Sequence, residues 1–311
     1  MSNVLEISNL TKDFEVGFWK KRKVRALDGL SLTVKGGQIF GFLGGNGAGK
    51  TTTIKILMTL LFPTSGTARI LGSDISDVSM HKRIGYCPEN PYFYDYLTAS
   101  ELMKYFGELL GLNSAERTRR ASELLTKVGL EEKDWNKQLR KYSKGMLQRV
   151  GLAQALINEP EIVFFDEPMS GLDPIGRREI RELIIELRQK GTTVFMSTHI
   201  LSDVEALCDE VAILRRGKLT ATGRLDELLS RQGEQQVYEV SLANLNANQL
   251  TNGYSVRTAA SGVIVEVDDE SQVEKLLAEA RNAGGKLISV QPVRQSLEEL
   301  FVEPSTAELN N

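Results

Sequence analysis

The sequence predicts an α/β fold built on a mainly parallel sheet, followed by a smaller α+β domain. Three observations predict it. An apolar run at residues 39–43 leads into a glycine-rich turn and then into residues of helical character at 52–61. Further apolar runs at 162–165, 193–197 and 210–214 alternate with helix-patterned stretches such as 176–190, the arrangement of βαβ units around a parallel sheet. Around 231–236 the chain turns polar, which reads as a linker, and the patterning then resumes on a smaller scale.

Taken in order, residues 4–10 and 30–34 read as short strands. Between them lies an insertion with Gly17, Phe18, Trp19 and the basic run Lys20, Lys21, Arg22 and Lys23, which predicts a hairpin with an enlarged loop. From about 92 to 157 strand patterning disappears. Helical periodicity replaces it, with Ala121, Leu124, Leu125 and Val128 on one face, so this stretch is expected to be a helical insert. Beyond the linker come strands near 237–242, 262–267 and 286–291. A helix there carries Val273, Leu276, Leu277 and Ala280 on one face and is closed by Gly284 and Gly285. The expected division is a core domain at 1–230, an accessory domain at 236–303 and a disordered tail at 304–311.

Composition narrows the function. With 41% hydrophobic and 25% charged residues in 311, the chain resembles a globular protein with a packed core. A formal net charge of −3 provides no global positive field for nucleic acid or anionic lipid, so any such contact must be local. Cys87 and Cys208 stand in neither zinc nor redox spacing and read as buried apolar thiols of a reducing compartment. No apolar run approaches the roughly 20 residues that span a bilayer, and residues 1–10 lack the layout of a signal peptide. The expectation is a cytosolic chain unless a partner anchors it.

Gly44-Gly45-Asn46-Gly47-Ala48-Gly49-Lys50-Thr51 fits G-x-x-x-x-G-K-[ST] and stands between an apolar strand and a helix, the context in which that string holds phosphate. Glycines let successive backbone amides face phosphate oxygens, and the helix N-terminus adds partial positive charge. Lys50 is expected to reach the β and γ phosphates and Thr51 to ligate magnesium, with Thr52 just behind. Kinases, GTPases and motors share this loop, so by itself it indicates nucleotide binding and nothing narrower.

Residues 162–165 are apolar and are followed by Asp166 and Glu167. Two acids after such a run usually mark a strand meeting solvent. Downstream of a phosphate loop they fit another pattern: Asp166 holds magnesium, and Glu167 acts on the attacking water, as proton acceptor or as positioning group.

From here the sequence resembles the nucleotide-binding subunits of ABC transporters, over about residues 4–230. Tyr142-Ser143-Lys144-Gly145-Met146-Leu147-Gln148-Arg149 stands in the slot of the family signature, usually LSGGQ, with Ser143 and Gly145 matching. A serine and glycine at a helix start offer a hydroxyl, amides and a dipole end to a γ-phosphate. Ser170-Gly171-Leu172-Asp173 is similar to the D-loop that crosses the dimer interface, and Ser197-Thr198-His199 places His199 as the switch histidine; His81 is expected at the surface. Gly45 stands where the family commonly has proline, and Lys144 and Met146 depart from the signature. Glu89 replaces the Q-loop glutamine and could still hold magnesium or water. Phe14 occupies the usual adenine-stacking position, with Trp19 as the competing aromatic. Residues 291–301 are similar to the tail of exporter-type ATPases with a short accessory domain.

The resemblance implies a RecA-like P-loop core with an N-terminal antiparallel β portion, and catalysis of Mg-ATP hydrolysis by Glu167 and His199. Nucleotide contacts would come from Phe14, Gly44, Gly45, Asn46, Gly47, Ala48, Gly49, Lys50, Thr51, Thr52, Glu89, Ser143, Gly145 and Asp173, and metal contacts from Thr51, Asp166 and Glu89. Two chains, alike or different, would pair head to tail around two ATP molecules on the inner face of the cell membrane. They would drive separate transmembrane permease subunits, with export the favoured direction and no nucleic acid involved. The alternative is a soluble ABC ATPase acting on ribosomes or nucleic acid. Against it stand a single phosphate loop and the lack of sustained heptads.

Overall fold

A computed structural model of the chain describes residues 2–17, 21–229, 237–246, 249–250, 254–259 and 262–292. The chain divides into two compact units, Met1–Leu225 and Asp226–Asn311, each with its own core. The division falls a few residues before the polar stretch 231–236, which lies outside the described residues, as do Phe18, Trp19, Lys20 and residues 293–311.

The first unit opens with strands β1 (Asn3–Val16), β2 (Arg22–Lys35) and β3 (Ile39–Leu43), then helix α1 (Lys50–Leu57), strands β4 (Ser65–Ile70), β5 (Ser73–Asp74) and β6 (Ile84–Cys87). The helical insert follows as α2 (Ala99–Leu109), α3 (Ser114–Lys127) and α4 (Lys144–Ala155). Then β7 (Ile162–Asp166), α5 (Pro174–Gln189), β8 (Thr193–Thr198), α6 (Leu201–Leu207), β9 (Glu210–Arg215) and β10 (Lys218–Arg224) complete the unit, and α7 (Leu225–Leu229) starts at the boundary and runs into the second unit.

β1 and β2 correct the sequence reading. They pair antiparallel well past residues 4–10 and 30–34, with Phe14 opposite Val24, Glu15 opposite Lys23 and Val16 opposite Arg22. Both strands are solvent-facing there, so their sequence lacks an apolar alternation and resembles a loop. Within the basic run Lys21 bonds Glu15 at 2.9 Å, and nearby Arg25 bonds Asp13 at 2.8 Å. These two strands join β4 and β5 in an antiparallel sheet ordered β2-β1-β4-β5.

The second sheet of this unit runs β10-β9-β3-β8-β7-β6 and is parallel except at its β10 edge. Every residue of β3, β7 and β8 is buried, the near-continuous apolar pattern of strands covered on both faces. Phe195 holds the centre, with ring centroids 5.6, 5.3 and 5.4 Å from Phe40, Phe42 and Phe164. Burial of an aromatic of this size contributes about 1.5–3 kcal/mol. The sequence reading omitted β4, β5, β6 and β10, which are short or half exposed.

Local signals start the helices where the sequence allows. Thr98 and Glu101 form a reciprocal capping box at α2, Asn113 caps α3, and Asp173 with Pro174 opens α5. Ala121, Leu125 and Val128 are buried as their spacing predicts, while Leu124 is half exposed. Cys87 and Cys208 are buried free thiols, pushed above the usual range by desolvation. His81, expected at the surface, is half buried, its Nε2 3.4 Å from the Thr59 hydroxyl.

The second unit is an antiparallel sheet of β11 (Tyr238–Ala243), β12 (Ser255–Ala259), β13 (Gly262–Val267) and β14 (Lys286–Pro292), ordered β12-β13-β11-β14. Helix α8 (Glu270–Asn282), capped by Asp269, lays Val273, Leu276 and Ala280 into a core with Val240, Leu242 and Val265. β12 is the strand that the sequence reading missed.

Candidate functional site

Parallel register brings the chemistry together. Leu43 at the end of β3 pairs with Thr198 of β8, and Asp166 at the end of β7 pairs with Ser197. The loops leaving these three strands therefore emerge side by side, at the carboxyl ends where open α/β sheets bind ligands.

The loop after β3 needs its glycines at identifiable places. Gly47 and Gly49 have φ of 76° and 112°, and a Cβ on Gly49 would stand 2.7 Å from the Ala26 carbonyl oxygen. A Cβ on Gly44 would meet the Leu214 carbonyl oxygen at 2.7 Å. Gly45, by contrast, has open space around it. Lys50 opens α1 almost fully buried; its Nζ donates to the Gly44 carbonyl at 2.6 Å and lies 3.4 Å from Glu167 Oε1.

Asp166 is buried and accepts a hydrogen bond from the Ser197 hydroxyl through Oδ1. Its Oδ2 is enclosed and has no partner among the described residues. A buried carboxylate oxygen left without a donor is expensive unless a cation meets it. A hard oxygen donor of this kind suits Mg²⁺, an ion that completes its shell with water and phosphate oxygens. The same negative charge adds to desolvation in raising the Tyr86 hydroxyl and the Cys87 thiol above their usual ranges.

Glu167 adopts a left-handed φ of 51°, which a non-glycine residue keeps only where its neighbours enforce it. Its amide donates to the Ser197 carbonyl at 3.1 Å and to the Ser197 hydroxyl at 3.2 Å, and its carbonyl accepts from the Ser170 amide at 3.0 Å. The reversal turns the carboxylate toward Lys50 and toward His199, whose Nδ1 lies 2.9 Å from Oε1. A cleft of about 150 Å³ bordered by Glu167, Ser170, Thr198, His199 and Asp203 adjoins them, large enough for water. A larger cleft of about 1160 Å³ lies at the opposite strand ends, beside Gly37, Glu161 and Thr193, and shares no residue with this constellation.

The other expected residues lie on several elements. Ser143 caps α4, its hydroxyl accepting from the Met146 amide at 3.2 Å, and Gly145 packs against the Gly171 carbonyl. Asp173 starts α5, its carboxylate accepting from the Gly176 amide at 2.8 Å. Phe14 is half buried on β1 with the Lys12 ammonium 5.1 Å from its ring, whereas Trp19 lies outside the described residues. Glu89 is half buried in the bend after β6, and Thr52 is half buried on α1. One residue to which sequence reasoning gave no role of its own, Ser197, bonds both acids. A hydroxyl opposite Asp166 is recognisable only once the register is known.

Comparison with known proteins agrees with this geometry. The sequence pattern of the family described as ABC transporter matches residues 27–170. An uncharacterized ABC transporter ATP-binding protein of a Synechocystis species is 44% identical, covering 97% of this chain and 84% of its own length. The bacitracin transport ATP-binding protein of Enterococcus faecalis is 34% identical, covering 97% and 96%. Among solved structures, a dimeric ATP-binding cassette in a post-hydrolysis state bound to ADP and Pi superposes with a TM-score of 0.66 at 27% identity, covering 71% of this chain and 98% of that one.

Proposed function

The chain belongs to the ABC transporter ATP-binding proteins, and from that premise we propose that it hydrolyses Mg-ATP as one half of a head-to-tail dimer that drives separate membrane-spanning permease subunits. One observation carries the reading: Lys50, Asp166, Glu167 and His199 converge at three adjacent strand ends, with one serine ordering both acids.

In this reading Lys50 and the amides of residues 44–51 hold the phosphates, and Thr51 and Asp166 hold Mg²⁺. When bound, the metal neutralises charge on the phosphoryl oxygens. Glu167 orients the attacking water or accepts its proton, and His199 keeps the carboxylate aligned through Nδ1. Ser143 and Gly145, at the N-terminus of α4, face the nucleotide of a second chain. The dimeric cassette among the structural relatives supports that pairing.

Coupling to a permease is supported by exposed aromatics around the insert. Tyr92 is 96% exposed, and Tyr94, Tyr96 and Tyr105 present further rings, an amphipathic surface of the kind that interfaces favour. No helix among the described residues is long and apolar enough to cross a membrane, so in this reading the span is supplied by the partner. The relative named for bacitracin transport supports a transport role, and the likeness of residues 291–301 to the tails of exporter-type ATPases carries the reading of export. The alternative on ribosome or nucleic acid would need the basic run before and within β2, where Lys21 is already paired with Glu15 and nearby Arg25 with Asp13.

Phosphate release by the purified chain tests the proposal. Wild type is expected to turn over Mg-ATP, and Glu167→Gln to bind it while losing about 10²-fold or more in rate. A Glu167→Gln protein hydrolysing ATP at the parental rate would remove Glu167 from the chemistry.

A further inference from the structure

Gln148 lies on α4, the helix that begins at the Ser143 turn, and its side chain is completely buried. Its Nε2 donates to the Pro168 carbonyl at 3.3 Å and lies 3.8 Å from Cys87 Sγ. The Pro168 carbonyl fixes the amide's orientation, since a flip would oppose two oxygens. Oε1 is enclosed and has no hydrogen-bond partner among the described residues. Packing alone does not account for such a residue, because an apolar side chain of the same shape would fill the space without a stranded acceptor.

What Gln148 touches accounts for it. Cys87 ends β6, where the chain turns toward Glu89, and Pro168 directly follows Glu167. The Glu167 turn holds a left-handed φ, pinned upstream by Ser197 and downstream by the Ser170 amide. Gln148 grips the carbonyl between those two pins. The first turn of α4 presses on the same loop: Lys144 Nζ donates to Ser170 Oγ at 3.3 Å, and a Cβ on Gly145 would come within 3.0 Å of the Gly171 carbonyl oxygen. Helix α4 and residues 168–171 are thus packed and hydrogen-bonded together, and interior packing of this density transmits displacement instead of absorbing it.

We propose that Gln148 is a positioning residue, which ties α4 to the backbone of the Glu167 turn so that the placement of α4 sets the reach of the Glu167 carboxylate. A neighbouring chain engaging the Ser143 turn would act on Glu167 through this amide. The proposal rests on the reading of Glu167 as the group that acts on water.

A double-mutant cycle on the full-length chain tests it with Gln148→Met, Glu167→Gln and the combination, each measured for thermal midpoint, ATP affinity, kcat and KM. Gln148→Met is expected to keep its midpoint and to change ATP affinity by less than about twofold, while kcat falls about tenfold or more from misplacement of the carboxylate. In the Glu167→Gln background the same change should alter residual hydrolysis by less than about twofold, because it acts through the side chain already removed. Gln148→Asn, which withdraws the donor but keeps an amide, should reproduce the kcat loss. An unchanged kcat in a folded variant, or losses that multiply in the combination, would overturn the proposal. Loss of the fold in both Gln148 variants would overturn it too, assigning the residue to the core alone. If Glu167→Gln by itself keeps the parental rate, the reading beneath the proposal fails, and that outcome is visible without any Gln148 variant.

Discussion

Two glycines in one loop should respond oppositely to the same methyl group. Gly49 has φ of 112°, where an alanine backbone is strained by about 1–3 kcal/mol. Its new Cβ would lie 2.7 Å from the Ala26 carbonyl oxygen and from Leu27 Cδ2, the first being backbone and the second a fully buried side chain. Overpacking of that kind adds about 1–3 kcal/mol. The smallest total is about 2 kcal/mol, which for a unit of this size lowers the thermal midpoint by roughly 4–8 °C. Relief of the overlap must also move the loop amides, so ATP affinity is expected to fall about tenfold or more. Gly45→Ala meets open space at an ordinary φ, so its stability should stay within about 0.5 kcal/mol of wild type and its affinity within about threefold. Differential scanning calorimetry and titration with a fluorescent ATP analogue measure both. Gly49→Ala matching wild type in stability and affinity, or Gly45→Ala failing alongside it, would refute the steric account of the loop.

Lys50→Ala should abolish tight ATP binding, since it removes the buried ammonium aimed into the loop; retained micromolar affinity by calorimetric titration would contradict that assignment. Shared sites make a sharper claim. Heterodimers carrying Lys50→Ala on one chain and Ser143→Arg on the other keep one intact composite site, whereas both changes on one chain damage both sites. The first should close on ATP in sedimentation analysis and show more ATPase activity than the second, and equal behaviour in both assays would sink the trans arrangement. A truncated chain ending at Ser230 should still bind ATP, because the proposed nucleotide residues all precede that point; a protein folded by circular dichroism yet unable to bind would assign the second unit a part in binding. Burial raises the Cys87 and Cys208 thiols, so the reactive thiolate is scarce at pH 8. Iodoacetamide should label neither cysteine until the chain is unfolded, and rapid labelling of the native protein by mass spectrometry would contradict their burial.

The candidate site was legible to the extent that its chemistry lies in contiguous strings. Gly44 to Thr51 and Asp166-Glu167 are each short, and each follows a buried apolar strand, so residue type and context are adjacent in the chain. The solvent-facing halves of β1 and β2 were not legible, because cross-strand pairs such as Asp13 with Arg25 stabilise them without an apolar stripe. Asp173 was read for its place in a motif, and only the structure shows that its carboxylate also caps α5.

The amino-acid order alone determined that a phosphate loop, two acids, a signature-like turn and a histidine follow one another in this sequence, since each is written within a few neighbouring residues. Their mutual distances were decided by the sheet. The parallel pairing of β7 with β8 puts Ser197 opposite Asp166, and the left-handed turn at Glu167 aims its carboxylate at His199 and Lys50. Burial of Gln148 beneath Pro168 depends on the packing of α4 against residues far along the chain. Such contacts depend on strand register and helix packing, which are set by the whole core and are not encoded in the spacing of any one motif.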